Sequence, residues 1–332
     1  MKTEPKVSII VQNWNGEDHI KDCLDSLFAQ DYKNIEVIVV DSASKDKSIE
    51  MIKKYMADRR LRRQHILKLI ALEKDHGAPY ANNLGVKNAT GKYIMLLNND
   101  TVLLNGTIRK LVQAVGDSNF VVSPIQLDWN NKIEGFGCPH YWAGTTLNKL
   151  TNSKGVSPFY LSIACCLLLK SLYEENQLNE HFWFYEETEW AWRLHLKNIP
   201  QFIVNGAYYK HKVGGSMNPG KTAFYVAKSS TATHFICLKS YTMLLMLPLI
   251  FYHHFRLVAA ETIRLKKPLV IRKFFSGLMS FISDINLYFE DRHNVQKTRM
   301  FGDVYIIKKM SASSGYVRCM ENTYRNSYVN IK

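Results

Sequence analysis

The sequence lacks several features that would assign it quickly. Its six cysteines form no C-x-x-C pair, and Cys165 and Cys166 are adjacent inside an apolar run. That makes buried free thiols in a reducing compartment, and not disulfides, the expectation. After the first apolar segment the turn reads Asn13-Trp14-Asn15-Gly16, without the G-x-G-x-x-G that cradles a dinucleotide pyrophosphate, so a dehydrogenase loses its main support. The N-terminal apolar stretch is too short and too quickly interrupted for a signal peptide, which predicts a cytoplasmic main domain. The apolar run at 241–252 is interrupted by Pro248 and falls short of the ~20 residues a spanning helix needs. Acidic side chains are the minority, 29 against 43 Lys and Arg, for a formal charge of +14. Such a surface attracts anions, but no recognised RNA or DNA module accompanies it. The basic run "DRRLRRQ" at 58–64 reads as a solvated helix end, so nucleic acid is not an expected partner.

What is present is a chain of 332 residues with 46% hydrophobic content, enough for a full α/β core and an appended region. Residues 7–12 read as a buried strand, followed by helical spacing of Ile20, Cys23, Leu24, Leu27 and Phe28 across 16–30. A second strand at 34–40 closes at Asp41, and Asp46 is a candidate N-cap for the helix carrying Ile49, Ile52 and Tyr55. A third strand at 66–72 leads through an Asn/Gly-rich loop into a helix at 79–88 and a strand ending at Asn98. Strands alternating with helices predict a mostly parallel, doubly wound sheet, with Asn13, Asp41 and Asp100 along one edge. Ligands of open α/β sheets sit beyond the carboxyl ends of such strands, so the polar turn Asn98-Asn99-Asp100 falls where chemistry is expected.

From 127 to 158 the pattern is irregular, as in a long functional loop, and strand character returns at 159–170. "HFWFYEETEWAWRLHLKN" reads as a helix entered through carboxylates and aromatics. Glu189 and Arg193, at i and i+4, have the spacing of a helix-surface pair, and two of Trp183, Trp190 and Trp192 are expected in the core. Beyond 235 the chain becomes apolar and basic. The expectation is a catalytic domain over 1–235 and a helical region over 236–332, two of whose helices lie in a membrane interface. Arg256, Arg264, Lys266, Lys267, Arg272 and Lys273 would then face lipid phosphates.

Five ordered pieces, "VSIIVQNWNG", "VIVVDSASKD", "HGAPYANNLGVKNATGKYIMLLNND", "FYLSIACCLLLK" and "FYEETEWAWRL", with "HKVGGS" trailing, resemble the inverting family 2 glycosyltransferases of the GT-A fold, most closely their rhamnosyltransferase-like branch. The resemblance covers roughly residues 5–235. It implies a nucleotide-diphosphate sugar donor, held by Asp41 after the second strand, with Asn13 and Asn15 supplementing it or forming Asx turns. Asn98-Asn99-Asp100 matches the family's D-x-D metal motif, so Asp100 would bind Mg²⁺ or Mn²⁺ with His211 as a second ligand, and Asn98 and Asn99 would hydrogen-bond near the donor. Asn83 and Gly85 match a turn that lets backbone approach the donor sugar, while Ala81 stands where relatives often carry Gly. Glu187 matches the catalytic Asp of an E-D-x-D pattern, one methylene longer, beside Glu186. The acceptor implied is a lipid-linked or polysaccharide hydroxyl, reached by a cytoplasmic enzyme peripheral at the inner face of the cell membrane. A catalytically silent membrane-associated nucleotide-sugar-binding protein of the same fold is the alternative, favoured by the single carboxylate in the Asn98-Asn99-Asp100 turn.

Overall fold

The computed structural model describes residues 4–58, 66–135, 140–141, 144–145, 159–212 and 219–309. Most of the basic run at 58–64, most of the 127–158 loop and the Gly-Gly-Ser after His211 lie outside the described residues. The first half alternates as expected: β1 (Val7–Asn13), α1 (Ile20–Phe28), β2 (Ile35–Asp41), α2 (Ser48–Ala57), β3 (Ile66–Ala71), α3 (Ala78–Lys87) and β4 (Tyr93–Asn98). There follow β5 (Thr101–Leu103), α4 (Thr107–Val115), β6 (Val121–Leu127), β7 (Ile133–Gly135), the short pair β8 (His140–Tyr141) and β9 (Gly144–Thr145), β10 (Cys165–Leu169), α5 (Lys170–Glu174), α6 (Glu186–Leu196) and β11 (Gln201–His211). The helical part comprises α7 (Pro219–Tyr225), a π-helical turn (Val226–Ser230), α8 (Thr231–Cys237), α9 (Ser240–Leu265), α10 (Leu269–Ser283) and α11 (Ile285–Thr298).

Among the described residues, nine strands form one mixed sheet in the order β3-β2-β1-β4-β10-β6-β11-β5, with β7 on β6. β1 to β4 run parallel, as do β6 and β11, whereas β10 is antiparallel to both its neighbours and β5 is antiparallel to β11. β2 is buried along its whole length because helices cover both faces. One face packs Ile20, Cys23, Leu24 and Leu27 of α1 and Ile108 and Leu111 of α4 against Ile9, Val11, Val37 and Met95. The other packs α3 and α6 through Ala81, Val86, Trp190 and Leu194 against Ile10, Ile38 and Leu96.

Three expectations on extent change. The helix after β1 begins at Ile20 rather than 16, because Gly16 to His19 form a turn in which the Gly16 carbonyl accepts from the His19 and Ile20 amides. The strand expected at 159–170 is confined to Cys165–Leu169. Before it, the Leu161 amide bonds the Gln201 side chain, and Ser162 turns the chain by accepting from Ala164 N. Pro248 does not end its helix. α9 runs 26 residues through it, long and apolar enough by length and composition to cross a membrane, against the shorter run read from sequence. The bond that proline forfeits is to Leu244, at an exposed position where the loss is tolerated.

A third core joins the two halves of the chain. Phe159, Phe182, Trp192 and Leu196 pack with Ile236, Cys237, Tyr288, Val295 and Ile306, across the expected 235/236 boundary. The Leu196 carbonyl, at the end of α6, accepts from the amides of Met300 and Phe301.

Candidate active site

In-register parallel pairing sets the site's floor. Asn13 pairs with Asp41 across β1 and β2, and Gln12 pairs with Asn98 across β1 and β4, so three polar strand ends arrive at one sheet edge. The Asn13 amide donates to Asp41 Oδ2 at 2.6 Å and to Ser48 Oγ at 3.0 Å, and its Oδ1 accepts from Asn99 Nδ2 at 2.7 Å. Asp41 is fully buried, its carboxylate accepting also from Ser44 N at 2.9 Å and Ser44 Oγ at 2.6 Å. Asn15 is exposed, in the left-handed region at φ 47°, and locks the loops after β1 and β2 together: its backbone N–H donates to Ser44 Oγ and its side-chain Oδ1 accepts from Lys45 N, both at 2.8 Å. Asp46 lies one residue before the N-cap of α2, which is Lys47 and not Asp46 as expected; it accepts from Ser48 N and Oγ and also takes the Glu17 backbone amide at 2.8 Å. Gly16 is required here, since a Cβ on it would lie 2.2 Å from both Asn13 Oδ1 and Asn99 Nδ2.

The Asn98-Asn99-Asp100 turn links β4 to β5, and antiparallel pairing of β5 with β11 puts His211 opposite Thr101. His211 Nε2 thereby comes within 3.1 Å of Asp100 Oδ1, a buried atom that accepts no hydrogen bond among the described residues. Asn98 accepts from Gln12 Nε2 at 2.9 Å, and its own Nδ2 lies 3.5 Å from His211 Nε2. An oxygen and a nitrogen at this spacing fit adjacent ligand positions on a hard divalent cation, which lie about 3 Å apart when bonds are ~2.1 Å. Among the described residues no cluster of three or more His, Cys, Asp or Glu gathers to hold a metal. Asp100 and His211 would therefore be the protein's share, with other oxygens completing the shell.

Glu187 lies in the first turn of α6, whose start is set by Tyr185 in the left-handed region at φ 65°. Its Oε2 faces the Ile163 amide at 3.5 Å, while the next residue's carbonyl, Ala164 O, accepts from Asn98 N at 3.1 Å and Thr101 Oγ1 at 3.3 Å. Residues 163–164 thus tie the carboxylate to the polar turn. Burial, then the neighbouring Glu186 charge, push Glu187 up to about 8, against a small opposing pull from the Ile163 amide. Burial likewise raises Glu186 to about 7.

Other expected residues have different work. Asn83 is spent on structure, donating to Leu178 O and Glu180 Oε1 and accepting from the Tyr173 hydroxyl. Gly85 lies in the core, where a Cβ would come 2.3 Å from Ile10 Cγ2, so it permits close helix-to-sheet packing. Glu189 and Arg193 form a buried bidentate pair at 2.7 and 3.0 Å, not a surface pair. Trp190 and Trp192 are core residues, whereas Trp183 is exposed with its indole over Gly77. Sequence reasoning passed over Gln12, Ser44 and Ser48, which hold the strand-end side chains, and Asn82. Asn82 is buried, with an Oδ1 that accepts no hydrogen bond among the described residues. Its spacing with Gly85 and Val86, at i, i+3 and i+4, was the available signal.

This architecture is shared with known proteins. The chain superposes on Staphylococcus aureus TarS 1-349 in complex with UDP-GlcNAc with a TM-score of 0.56 at 19% identity, covering 96% of this chain and 91% of that one. A mannosyltransferase from Pyrobaculum calidifontis in complex with GDP-Man and Mn²⁺ gives 0.56 at 16% identity, over 94% and 87%. The fold is therefore that of the GT-A glycosyltransferases. In sequence, an uncharacterized glycosyltransferase of Rickettsia felis is 31% identical over 120 residues, 36% of this chain and 19% of its own length. The chain spans under half the length of the curated relatives it matches. The model of glycosyl transferase family 2 matches residues 8–176, just over half of the chain and nearly all of the strand-end machinery described above, and the chain belongs to that family.

Proposed function

We propose that the protein is an inverting glycosyltransferase that moves a sugar, rhamnose by its branch resemblance, from a nucleotide-diphosphate donor to a hydroxyl of a lipid-linked or polysaccharide acceptor at the inner face of the cell membrane. The observation that carries this reading is the convergence of Glu187 and the Asn98-Asn99-Asp100 turn on residues 163–164. Neighbours of the same fold were solved with UDP-GlcNAc and with GDP-Man and Mn²⁺, which supports a nucleotide-sugar donor.

In this reading Asp41, Asn13 and Asn15 shape the nucleotide subsite, and Asn98 and Asn99 orient the diphosphate. Asp100 and His211 would hold Mg²⁺ or Mn²⁺, which when bound would neutralise charge on the leaving diphosphate. Glu187 accepts the acceptor hydroxyl's proton as that oxygen bonds to the anomeric carbon. The bond from that carbon to the phosphate oxygen breaks on the opposite face, and the nucleoside diphosphate leaves with the electron pair, inverting the centre. A carboxylate of raised proton affinity suits this work, provided it is ionised when the acceptor arrives.

The test is donor turnover across UDP-, dTDP- and GDP-sugars with Mn²⁺ or Mg²⁺ and after chelation. Asp100→Ala is expected to abolish metal-dependent turnover. Glu187→Gln should cost on the order of 10²-fold or more while sparing donor binding. A silent nucleotide-sugar-binding protein, the reading favoured by the turn's single carboxylate, would bind a donor and turn over none. Damage from Glu186→Gln in place of Glu187→Gln would move the base by one residue.

A further inference from the structure

α9 carries its apolar side chains on the wrong face for a water-soluble helix. Tyr241, Leu244, Leu245, Tyr252 and Ile263 follow one another at helical spacing and are all exposed, Leu245 and Ile263 by about three quarters (77% and 76%). The opposite stripe, Ile250, His254 and Val258, is buried, with Val258 packed against Val270 and Phe274 of α10 and Ala223 of α7. α10 continues the outward face with Leu269, Phe275, Met279 and Ile282. The turn between the two helices is basic: Arg264, Lys266, Lys267, Arg272 and Lys273 are exposed, no acidic residue lies between 264 and 273, and among them only Arg264 has an acidic partner, Glu261, in the described residues.

We propose that the outward faces of α9 and α10 seat in the headgroup boundary of an anionic bilayer without spanning it, and that the acceptor is therefore one carried on lipid. The acceptor clause rests on the transferase reading above; the lipid seat does not. Charge selects this occupant. A two-fold contact with a second copy would bring the basic turn near its own image, whereas anionic headgroups complement it. Packing favours the interface over a span: Ile250, His254 and Val258 are buried against the folded chain, Val258 on α7 and α10, so α9 lies along the domain with its other face outward. The seat also lies near the chemistry. Phe184, three residues before Glu187, has its ring 4.6 Å from that of Tyr225 in α7. α7 meets α10 so closely that a Cβ on Gly277 would come 2.2 Å from the Phe224 carbonyl oxygen.

The full chain is sedimented with vesicles of equimolar phosphatidylglycerol and phosphatidylcholine, and with pure phosphatidylcholine. Binding to the anionic vesicles alone is expected, weakened by salt and released by alkaline carbonate. Leu244→Gln, Leu245→Gln and Ile263→Gln, at positions without packing to lose, should each weaken binding about tenfold. Lys266→Glu, Lys267→Glu and Arg272→Glu together should weaken it roughly a hundredfold. Donor turnover should be unchanged in all of them. Equal binding to phosphatidylcholine overturns the charge argument, and resistance to carbonate overturns the interfacial placement. A dimer that the glutamine variants dissociate, with no vesicle binding, gives the face to a second copy and overturns the seat. Vesicle binding by a protein that turns over no donor would sink the transferase reading and leave the seat intact.

Discussion

The Glu186–Glu187 pair makes a quantitative demand on the pH dependence of the reaction. Burial and the adjacent carboxylate raise Glu187 to about 8, and a general base works only when ionised. At that value about a tenth of the enzyme is competent at pH 7, half at pH 8 and nine tenths at pH 9, so the low-substrate rate should climb about tenfold across those two units. The two carboxylates titrate as a pair, so the midpoint belongs to both. Glu186→Gln removes the like charge and should move the midpoint down, shrinking the gain between pH 7 and 9. The assay is kcat/KM for donor turnover from pH 6 to 10, run separately with Mg²⁺ and with Mn²⁺. A midpoint set by the protein is the same with either ion, whereas one set by metal-bound water differs. A flat profile between pH 7 and 9, or a midpoint that Glu186→Gln leaves in place, would refute the assignment.

Two further predictions concern the frame around the site. Gly16→Ala should drive apart the Asn13–Asn99 hydrogen bond, costing about 1–3 kcal/mol and weakening donor binding, while Gly302→Ala, where a Cβ meets nothing within 4 Å, should change neither; thermal melts and donor titrations decide it. Glu36, at the far edge of the sheet, is opposed by burial yet held down to about 2 by hydrogen bonds from Ser8, the Thr90 amide and hydroxyl, and Lys68. A carboxylate lowered from 4.5 contributes ~3 kcal/mol that is fully present above pH 4.5 and fades as pH falls towards 2, so Glu36→Gln should lose about that much at pH 7 and show a flatter acid limb in denaturant melts.

The parts of this molecule that were legible in its sequence are the local ones. Apolar runs capped by Asn13, Asp41 and Asn98 announce buried parallel strands and the edge where they end, because a strand covered on both faces has little choice of composition. The helix carrying Glu187 announces itself by its acidic first turn. What was not legible depends on partners far along the chain. The reversal that sets β5 against β11 joins residues over a hundred positions apart and no local pattern encodes it; the pairing of His211 with Asp100 was expected through the family resemblance alone. The contacts of Asn83 with Leu178, Glu180 and Tyr173, and of Gly85 with Ile10, were not legible either, because a motif marks which residues matter without saying what else they pack against. Glu189 and Arg193 looked like a surface pair because i, i+4 spacing says nothing about what later packs over it.

The third core fixes where this chain can be cut. Arg292, Gln296 and Arg299 donate to the carbonyls of residues 235–238, and the Met300 and Phe301 amides close on Leu196, so the end of the helix that presents Glu187 is gripped by a segment a hundred residues downstream. A fragment stopped at 235 would leave Trp192 and Leu196 facing water and free the C-terminal end of the catalytic helix. The change in sequence character falls inside a shared core, so an expression boundary belongs after Ile306, not at the change in composition.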